Sequence, residues 1–198
     1  MGEFNYTIKP REVVYKTVRY RSRLEATWAA FFDICGWRFD YEPETFRGWA
    51  PDFLLFGHEG SIWVEVKPIE RFNEDVARKM VRNCPRSSDE LLILGNSPFV
   101  EREYKDEWNC GCSSSAIGWL AENEEIGAYW ELAAFGVPRH ELDSSFDFCH
   151  GMGSWMGRMF NGHYLVDYSS KVQEIWANAK NRTSFSVCLL YTSPSPRD

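Results

Sequence analysis

The spacing of hydrophobic and polar positions predicts a first helix shortly after residue 20. Ser22 and Glu25 form a capping-box pattern, with a serine at the N-cap and a glutamate three residues later. From Leu24 onward, apolar side chains recur at helical spacing until Gly36, a residue type that favours the ends of helices. We therefore expect a helix that begins after Ser22 and ends at Gly36.

Three short strands are expected after this helix. Residues 37–41 alternate between apolar and polar types, and residues 51–56 form a second short apolar segment. A turn at residues 57–60 then precedes a third segment at 61–67. The pattern therefore predicts three consecutive strands, the last two joined as a hairpin.

A second helix and a fourth strand complete the part of the chain with clear periodicity. Asn73 is a suitable N-cap, apolar residues follow at helical spacing up to Cys84, and Pro85 would end the helix. The continuous apolar run at residues 91–94, before Gly95, is typical of a strand that is buried on both faces. The predicted order is helix, three strands, helix and strand.

Beyond residue 96 the pattern is weaker. Residues 109–135 mix glycine, serine and aromatic residues, and a helix around residues 128–135 is one interpretation. A further helix is predicted at residues 171–180, where apolar residues line one face. The Ser- and Pro-rich end at 188–198 does not continue this helix and looks like translated adaptor sequence, so we expect it to be non-native and without function.

Composition limits the class of protein. The chain has 198 residues, of which 44% are hydrophobic and 26% charged, which suits one domain with its own core. The net charge of −7 argues against a protein that coats nucleic acid by bulk electrostatics, so any such contact must be local. We find no apolar run of membrane-spanning length, no signal-peptide core, and only six cysteines, and we therefore expect a cytoplasmic protein with reduced thiols.

The domain organisation follows from these patterns. Residues 1–20 form a basic N-terminal arm in which cationic residues alternate with tyrosines, a pattern that suits either an arm gripping phosphates or a solvated face. Residues 21–187 form a single domain, with a core at 21–96 and an aromatic-rich extension after it. Residues 188–198 are the expected non-native tail.

The clearest chemical signal is a pair of carboxylates beside a lysine. Asp52 precedes the second strand, and Glu65 and Lys67 share one face of the third because strand side chains alternate. If these two strands form a hairpin, Asp52 reaches the same face. Two close carboxylates repel each other, and Mg²⁺, with Mn²⁺ as a substitute, would relieve that repulsion. Lys67 cannot bind the metal but could hold a phosphate oxygen or orient water.

This motif carries a family resemblance. Pro51-Asp52 with Glu65-x-Lys67, in the predicted element order, resembles the PD-(D/E)XK nuclease superfamily over about residues 20–96. The segments 22–25, 41–44 and 51–53 are similar to the endonuclease subunit of heteromeric bacterial transposases and to phage-encoded proteins of the same type. The second half of the chain is similar to the phage group only.

The resemblance implies an α/β fold of the restriction-endonuclease type, with an αβββαβ core and a mixed central sheet flanked by helices. It implies a metal-dependent endonuclease acting on DNA, with Asp52 and Glu65 as metal ligands helped by the Val66 carbonyl. Lys67 would serve the attacking water, and Glu25 would complete the acidic site. Because many such nucleases cut both strands with two active sites, a homodimer or larger nucleoprotein complex is also implied.

Five cationic side chains are candidates for contact with the DNA backbone: Arg21 and Arg23 near the first helix, and Arg78, Lys79 and Arg82 on the second. A catalytically inactive phage protein of the same fold, which binds nucleic acid or has a structural role, is an alternative to the nuclease. A zinc-stabilised binding module is another, with Cys110, Cys112, Cys149 and His150 as ligands, although Cys-x-Cys lacks the two-residue gap of a zinc knuckle.

Each acidic residue also has a simpler interpretation. Asp52 and Lys67 could form a cross-strand salt bridge, and the capping box alone explains Glu25. Glu42 and Glu44 are either solvated charges at the end of the first strand or contacts to metal or water.

Overall fold

The computed structural model describes residues 12–46, 48–84, 90–101, 114–122, 129–138, 146–150, 157–160, 165–167 and 169–184. Three helices occur in these residues: α1 (Arg23–Cys35), α2 (Glu74–Asn83) and α3 (Ser169–Ser184). Ten strands occur in the same ranges: β1 (Val13–Tyr15), β2 (Val18–Tyr20), β3 (Phe39–Tyr41), β4 (Phe53–Phe56), β5 (Ser61–Val66), β6 (Glu90–Glu101), β7 (Ser114–Glu122), β8 (Tyr129–Pro138), β9 (Asp147–His150) and β10 (Leu165–Asp167).

Helix α1 begins and ends at the residues that the sequence predicts. The Ser22 side chain accepts a hydrogen bond from the Glu25 backbone N–H, as a capping box requires. At the other end, Gly36 adopts a left-handed conformation with φ of 73°, and its N–H bonds the last carbonyls of the helix. Both signals are local in sequence, and both predictions are confirmed.

The described strands other than β1 and β2 form one mixed sheet. Its order is β10-β8-β7-β6-β5-β4-β3, with β9 paired to β8. Strands β5 and β6 are parallel, and the other pairs in this sheet are antiparallel. The predicted order of helix, three strands, helix and strand is therefore present from α1 to β6, in a mixed α/β architecture.

The two faces of the sheet bury separate cores. One core packs under α1 and α3, where Trp28 contacts Trp176 with ring centroids 4.5 Å apart. The other lies under α2 and includes Trp63, Ile93 and Trp119. Side chains on β5 alternate between these two cores, so alternate positions of this strand face α2.

The helix considered around residues 128–135 is wrong, because residues 129–135 belong to β8. Its apolar residues alternate between the two cores, with Ala133 and Phe135 in one and Trp130 and Leu132 in the other. A strand that is buried on both faces gives a continuous apolar run, which local periodicity does not distinguish from a helix. By contrast, the helix predicted at 171–180 is confirmed and extends over Ser169–Ser184 as α3.

The N-terminal region forms a hairpin where the sequence suggested an arm or a solvated face. Strands β1 and β2 pair antiparallel, and Val13, Tyr15 and Tyr20 are buried in the core beside α1. Lys16, in the turn, lies 2.8 Å from Asp33 of α1. Residues 1–11 and the expected tail at 188–198 lie outside the described residues.

Among the described residues, no helix has both the length and the apolar character needed to cross a membrane.

The close approach of β6 and β7 depends on Gly118. A Cβ atom at this position would overlap the carbonyl oxygen of Ile93 on the neighbouring strand. We predict that Gly118→Ala lowers the free energy of unfolding by about 1–3 kcal/mol, because the strands must separate to fit the methyl group. Gly60→Ala is the matched control, since open space surrounds that Cβ position. Chemical denaturation measures both, and equal stability of the two variants would contradict the prediction.

Candidate active site

Asp52 and Glu65 are buried carboxylates brought together by adjacent strands. Asp52 directly precedes β4, and its backbone N–H donates to the Val64 carbonyl of β5 at 2.9 Å. Glu65 lies on β5, two residues from Trp63, and therefore on the face that packs against α2. Each residue is only 3% exposed. The hairpin predicted from the sequence thus places both carboxylates on one side of the sheet.

Lys67 supplies a positive charge next to both carboxylates. Its Nζ lies 2.7 Å from Glu65 Oε1 and 3.9 Å from Asp52 Oδ2, and it donates to the Val66 carbonyl at 3.2 Å. Burial by itself lowers the pKa of Lys67, but the neighbouring Glu65 and Asp52 raise the pKa above its ordinary value. Lys67 is therefore a charged ammonium group.

Asp52 is held from two directions. Its Oδ2 accepts the Val66 backbone N–H at 2.7 Å, and its Oδ1 accepts Arg21 Nη2 at 2.6 Å. Burial, followed by the charge of Glu65, raises the pKa of Asp52 to about 7, although Lys67 and the Val66 N–H lower it. A further positive charge at this point would therefore stabilise the ionised form.

Trp49 fixes the orientation of Glu65. The buried Trp49 indole donates from Nε1 to Glu65 Oε2 at 2.8 Å, which leaves Oε1 facing Lys67. The sequence pattern does not single out Trp49, because a tryptophan near a strand is more often a core residue. Its position three residues before Asp52 is the only signal that could have suggested a role.

Glu25 lies at the edge of this cluster. Its Oε1 accepts the Ser22 hydroxyl at 2.8 Å, and its Oε2 accepts the Tyr41 hydroxyl at 2.6 Å. The Glu25 charge also contributes, as a smaller effect, to the raised pKa of Asp52. The Glu25 side chain therefore contacts the N-cap residue through the Ser22 hydroxyl, and its charge also acts on Asp52.

Arg21, predicted to contact DNA, lies among the acidic residues. Its guanidinium is 2.6 Å from Asp52 Oδ1, 2.7 Å from Glu42 Oε1 and 3.9 Å from Glu25 Oε2. About half of the Arg21 side chain is exposed, so Arg21 lies between the buried Asp52 and the solvent. Glu44 is exposed in the segment between β3 and β4.

The other predicted DNA contacts are exposed cations. Arg23 lies at the start of α1, and Lys79 and Arg82 lie on the outer side of α2. Arg78, also on α2, pairs with Glu74 one turn earlier at 2.6 Å. The α2 cations therefore lie on the side of the sheet that carries Glu65 and Lys67.

The oxygen atoms of the cluster are of the type that binds a hard divalent cation. Asp52, Glu65 and the Val66 carbonyl offer oxygen atoms, the ligand type that Mg²⁺ and Mn²⁺ prefer. In the part of the chain that the structure describes, no group of three or more His, Cys, Asp or Glu side chains is placed to hold a metal. An ion here would therefore need the carbonyl oxygen and water to complete its coordination.

Two of the four cysteine and histidine residues proposed as zinc ligands lie outside the described residues. Cys110 and Cys112 belong to a range that the structure does not describe. Cys149 is buried on β9, where burial raises the pKa of its thiol to about 12 and so disfavours the thiolate that zinc binds. His150 Nε2 lies 3.4 Å from Glu90 Oε1.

A search against protein-family models, curated proteins and solved structures finds no match to this chain. Membership of the PD-(D/E)XK superfamily therefore stays a prediction from the motifs and their order.

The hydrogen bond from Trp49 to Glu65 can be tested by its contribution to stability. We predict that Trp49→Phe lowers the free energy of unfolding. The lost hydrogen bond to the Glu65 carboxylate should account for about 1.5–3 kcal/mol, in addition to the effect of the smaller ring, because the acceptor is charged. Trp37→Phe is the matched control, since the buried Trp37 indole donates to the neutral Phe146 carbonyl at 2.7 Å. For that hydrogen bond we expect a loss of about 0.5–1.5 kcal/mol. Equal losses in urea titrations would show that the charge of Glu65 does not strengthen the bond.

Proposed function

We propose that this protein is a metal-dependent endonuclease of the PD-(D/E)XK type, with a restriction-endonuclease-like core, which hydrolyses phosphodiester bonds in DNA. The observation that carries the proposal is the convergence of Asp52, Glu65 and Lys67 at one end of the β4–β5 hairpin. The order of elements from α1 to β6 supports it, because this is the order that the resemblance implies.

The chain's own groups have distinct tasks in this proposal. Asp52, Glu65 and the Val66 carbonyl would hold Mg²⁺, with Mn²⁺ as a substitute. The bound ion would supply Lewis-acid assistance to the scissile phosphate. Lys67, once it leaves Glu65, would donate hydrogen bonds to a phosphate oxygen or to the attacking water. The water oxygen would bond to phosphorus and lose a proton to solvent, the bond from phosphorus to the leaving ester oxygen would break, and the leaving oxygen would take up a proton from solvent.

Two side chains would position this machinery. Trp49 orients Glu65 through the hydrogen bond at Oε2, so that Oε1 would be available to a ligand once Lys67 leaves it. Glu25, held by Ser22 and Tyr41, adds negative charge near Asp52 and thereby strengthens the attraction for a cation. We propose DNA as the partner and a homodimer or larger nucleoprotein complex as the assembly that cuts both strands.

A second candidate is a catalytically inactive protein of the same fold that binds nucleic acid. The ion pairs favour it, because Arg21 with Asp52 and Lys67 with Glu65 already neutralise the cluster. In such a protein these residues would act as structural salt bridges, whose net contribution to stability is often small.

Paired variants of Lys67 and Asp52 separate the two candidates. We predict that Lys67→Ala lowers plasmid nicking at least about a hundredfold, because the phosphate or water loses its hydrogen-bond donor. Binding of Mn²⁺ should remain within a few-fold of the original, since an ammonium is not a ligand. Asp52→Asn should lose both nicking and binding. Nicking of supercoiled plasmid and calorimetric titration of Mn²⁺ are the measurements.

The controls are Lys171→Ala and Glu174→Gln, both at exposed positions on α3, which packs against the other core. Neither should change nicking or Mn²⁺ binding. If the original protein binds no divalent ion and Lys67→Ala mainly lowers the melting temperature, the salt-bridge interpretation holds and the nuclease proposal fails.

A further inference from the structure

A groove of about 460 Å³ lies between α2 and β8, outside the carboxylate cluster. Phe72, Ala77, Val81 and Trp130 form its apolar surface. The helix side of its rim is lined by charged residues, among them Arg78 and Arg82. The groove therefore combines an apolar floor with a cationic edge.

The apolar surface of the groove contains the ring of Phe72, which packs against two tryptophans. The Phe72 ring centroid lies 5.7 Å from that of Trp130 and 6.1 Å from that of Trp119. Phe72 is nevertheless 38% exposed. Contact with two tryptophans restricts the ring, so that little conformational entropy is lost when a flat partner covers it.

The cationic edge matches a chain of phosphates. Arg78 and Arg82 are one helical turn apart and lie on the same side of α2, and Glu74, which also lines the groove, pairs with Arg78 at 2.6 Å. Two guanidinium groups against one carboxylate give this edge a net positive charge. Guanidinium groups next to an aromatic surface are the combination by which proteins bind single-stranded nucleic acid, with phosphates on the cations and bases on the rings.

The groove lies on the same face of the sheet as the candidate active site. Glu65 is in register with Ile93 of β6, and Ile93 is in register with Trp119 of β7. Since neighbouring strands are about 4.8 Å apart, the Trp119 backbone lies about 10 Å across the sheet from that of Glu65. The Phe72 ring is tilted by 59° against that of Trp119, and Phe72 is only five residues beyond Lys67.

We propose that this groove binds an unpaired nucleobase of DNA, stacked on Phe72, with Arg78 and Arg82 on the adjoining phosphates. The inference rests on the proposed function and narrows its substrate class. A base inside a duplex has both faces covered by its neighbours and cannot stack on a side chain without leaving the helix. The substrate is then DNA with a single-stranded segment within a few nucleotides of the scissile phosphate.

The test compares two oligonucleotides with the same phosphates. One is a short oligothymidylate, and the other is an oligonucleotide of equal length in which every site is abasic. Binding is measured by fluorescence anisotropy on the full chain, in EDTA and at physiological salt. We expect the protein to bind the thymidylate about tenfold more tightly, which corresponds to one stacked base. Phe72→Ala should remove this preference and leave binding of the abasic oligonucleotide unchanged.

Two further variants make the result specific. Phe160→Ala is the matched control, since Phe160 is 40% exposed and lies outside the groove, and it should keep the preference. Phe72→Leu retains an apolar side chain without a ring, so it should behave like Phe72→Ala. A protein that binds both oligonucleotides equally, or a Phe72→Leu variant that keeps the preference, would overturn the inference.

The assay is independent of metal and of cleavage, so the two proposals fail separately. A thymidylate preference that depends on Phe72, in a protein that with Mn²⁺ cleaves neither supercoiled plasmid nor a duplex oligonucleotide with a single-stranded segment, would reject the nuclease and keep the groove. Nicking by a protein without base preference would reject the groove alone.

Discussion

The repulsion between Asp52 and Glu65 is the constraint on which the candidate site depends. Both carboxylates are buried on one side of the β4–β5 hairpin, and burial together with the charge of Glu65 raises the pKa of Asp52. The structure compensates with groups from three places in the chain. Arg21 comes from the junction of β2 and α1, Lys67 follows β5, and the Trp49 indole comes from the loop before β4. Because buried ion pairs contribute little net stability, these contacts mainly offset the cost of burying the two carboxylates.

The parts of this arrangement that the sequence predicts are the local ones. Helix α1 follows from the capping box at Ser22 and the glycine at position 36, and the common face of Glu65 and Lys67 follows from the alternation of strand side chains. The contacts of Arg21 and Trp49 are not predictable in this way, because each joins segments that only the folded sheet brings together. Tertiary pairing also explains why β8 looked helical, since it is covered on both faces.

The carboxylate cluster and the aromatic groove lie on the same face of the sheet, which is the face covered by α2. The register from Glu65 through Ile93 to Trp119 leads from the cluster to the aromatic groove without a change of face. Positive charge on this face comes from Arg78, Lys79 and Arg82 of α2, in a chain that is acidic overall. Local charge of this kind allows an acidic protein to hold a nucleic acid at one surface while its other surfaces repel it.

The central proposal is that the carboxylate cluster, which pairs with Arg21 and Lys67, is a cation site. Anomalous diffraction from crystals grown with Mn²⁺ tests this claim most directly. The account predicts one manganese peak in contact with Asp52, Glu65 and the Val66 carbonyl, and an Arg21 guanidinium that no longer contacts Asp52. A map without manganese at these residues, with the contacts of Arg21 to Asp52 and of Lys67 to Glu65 intact, would contradict it.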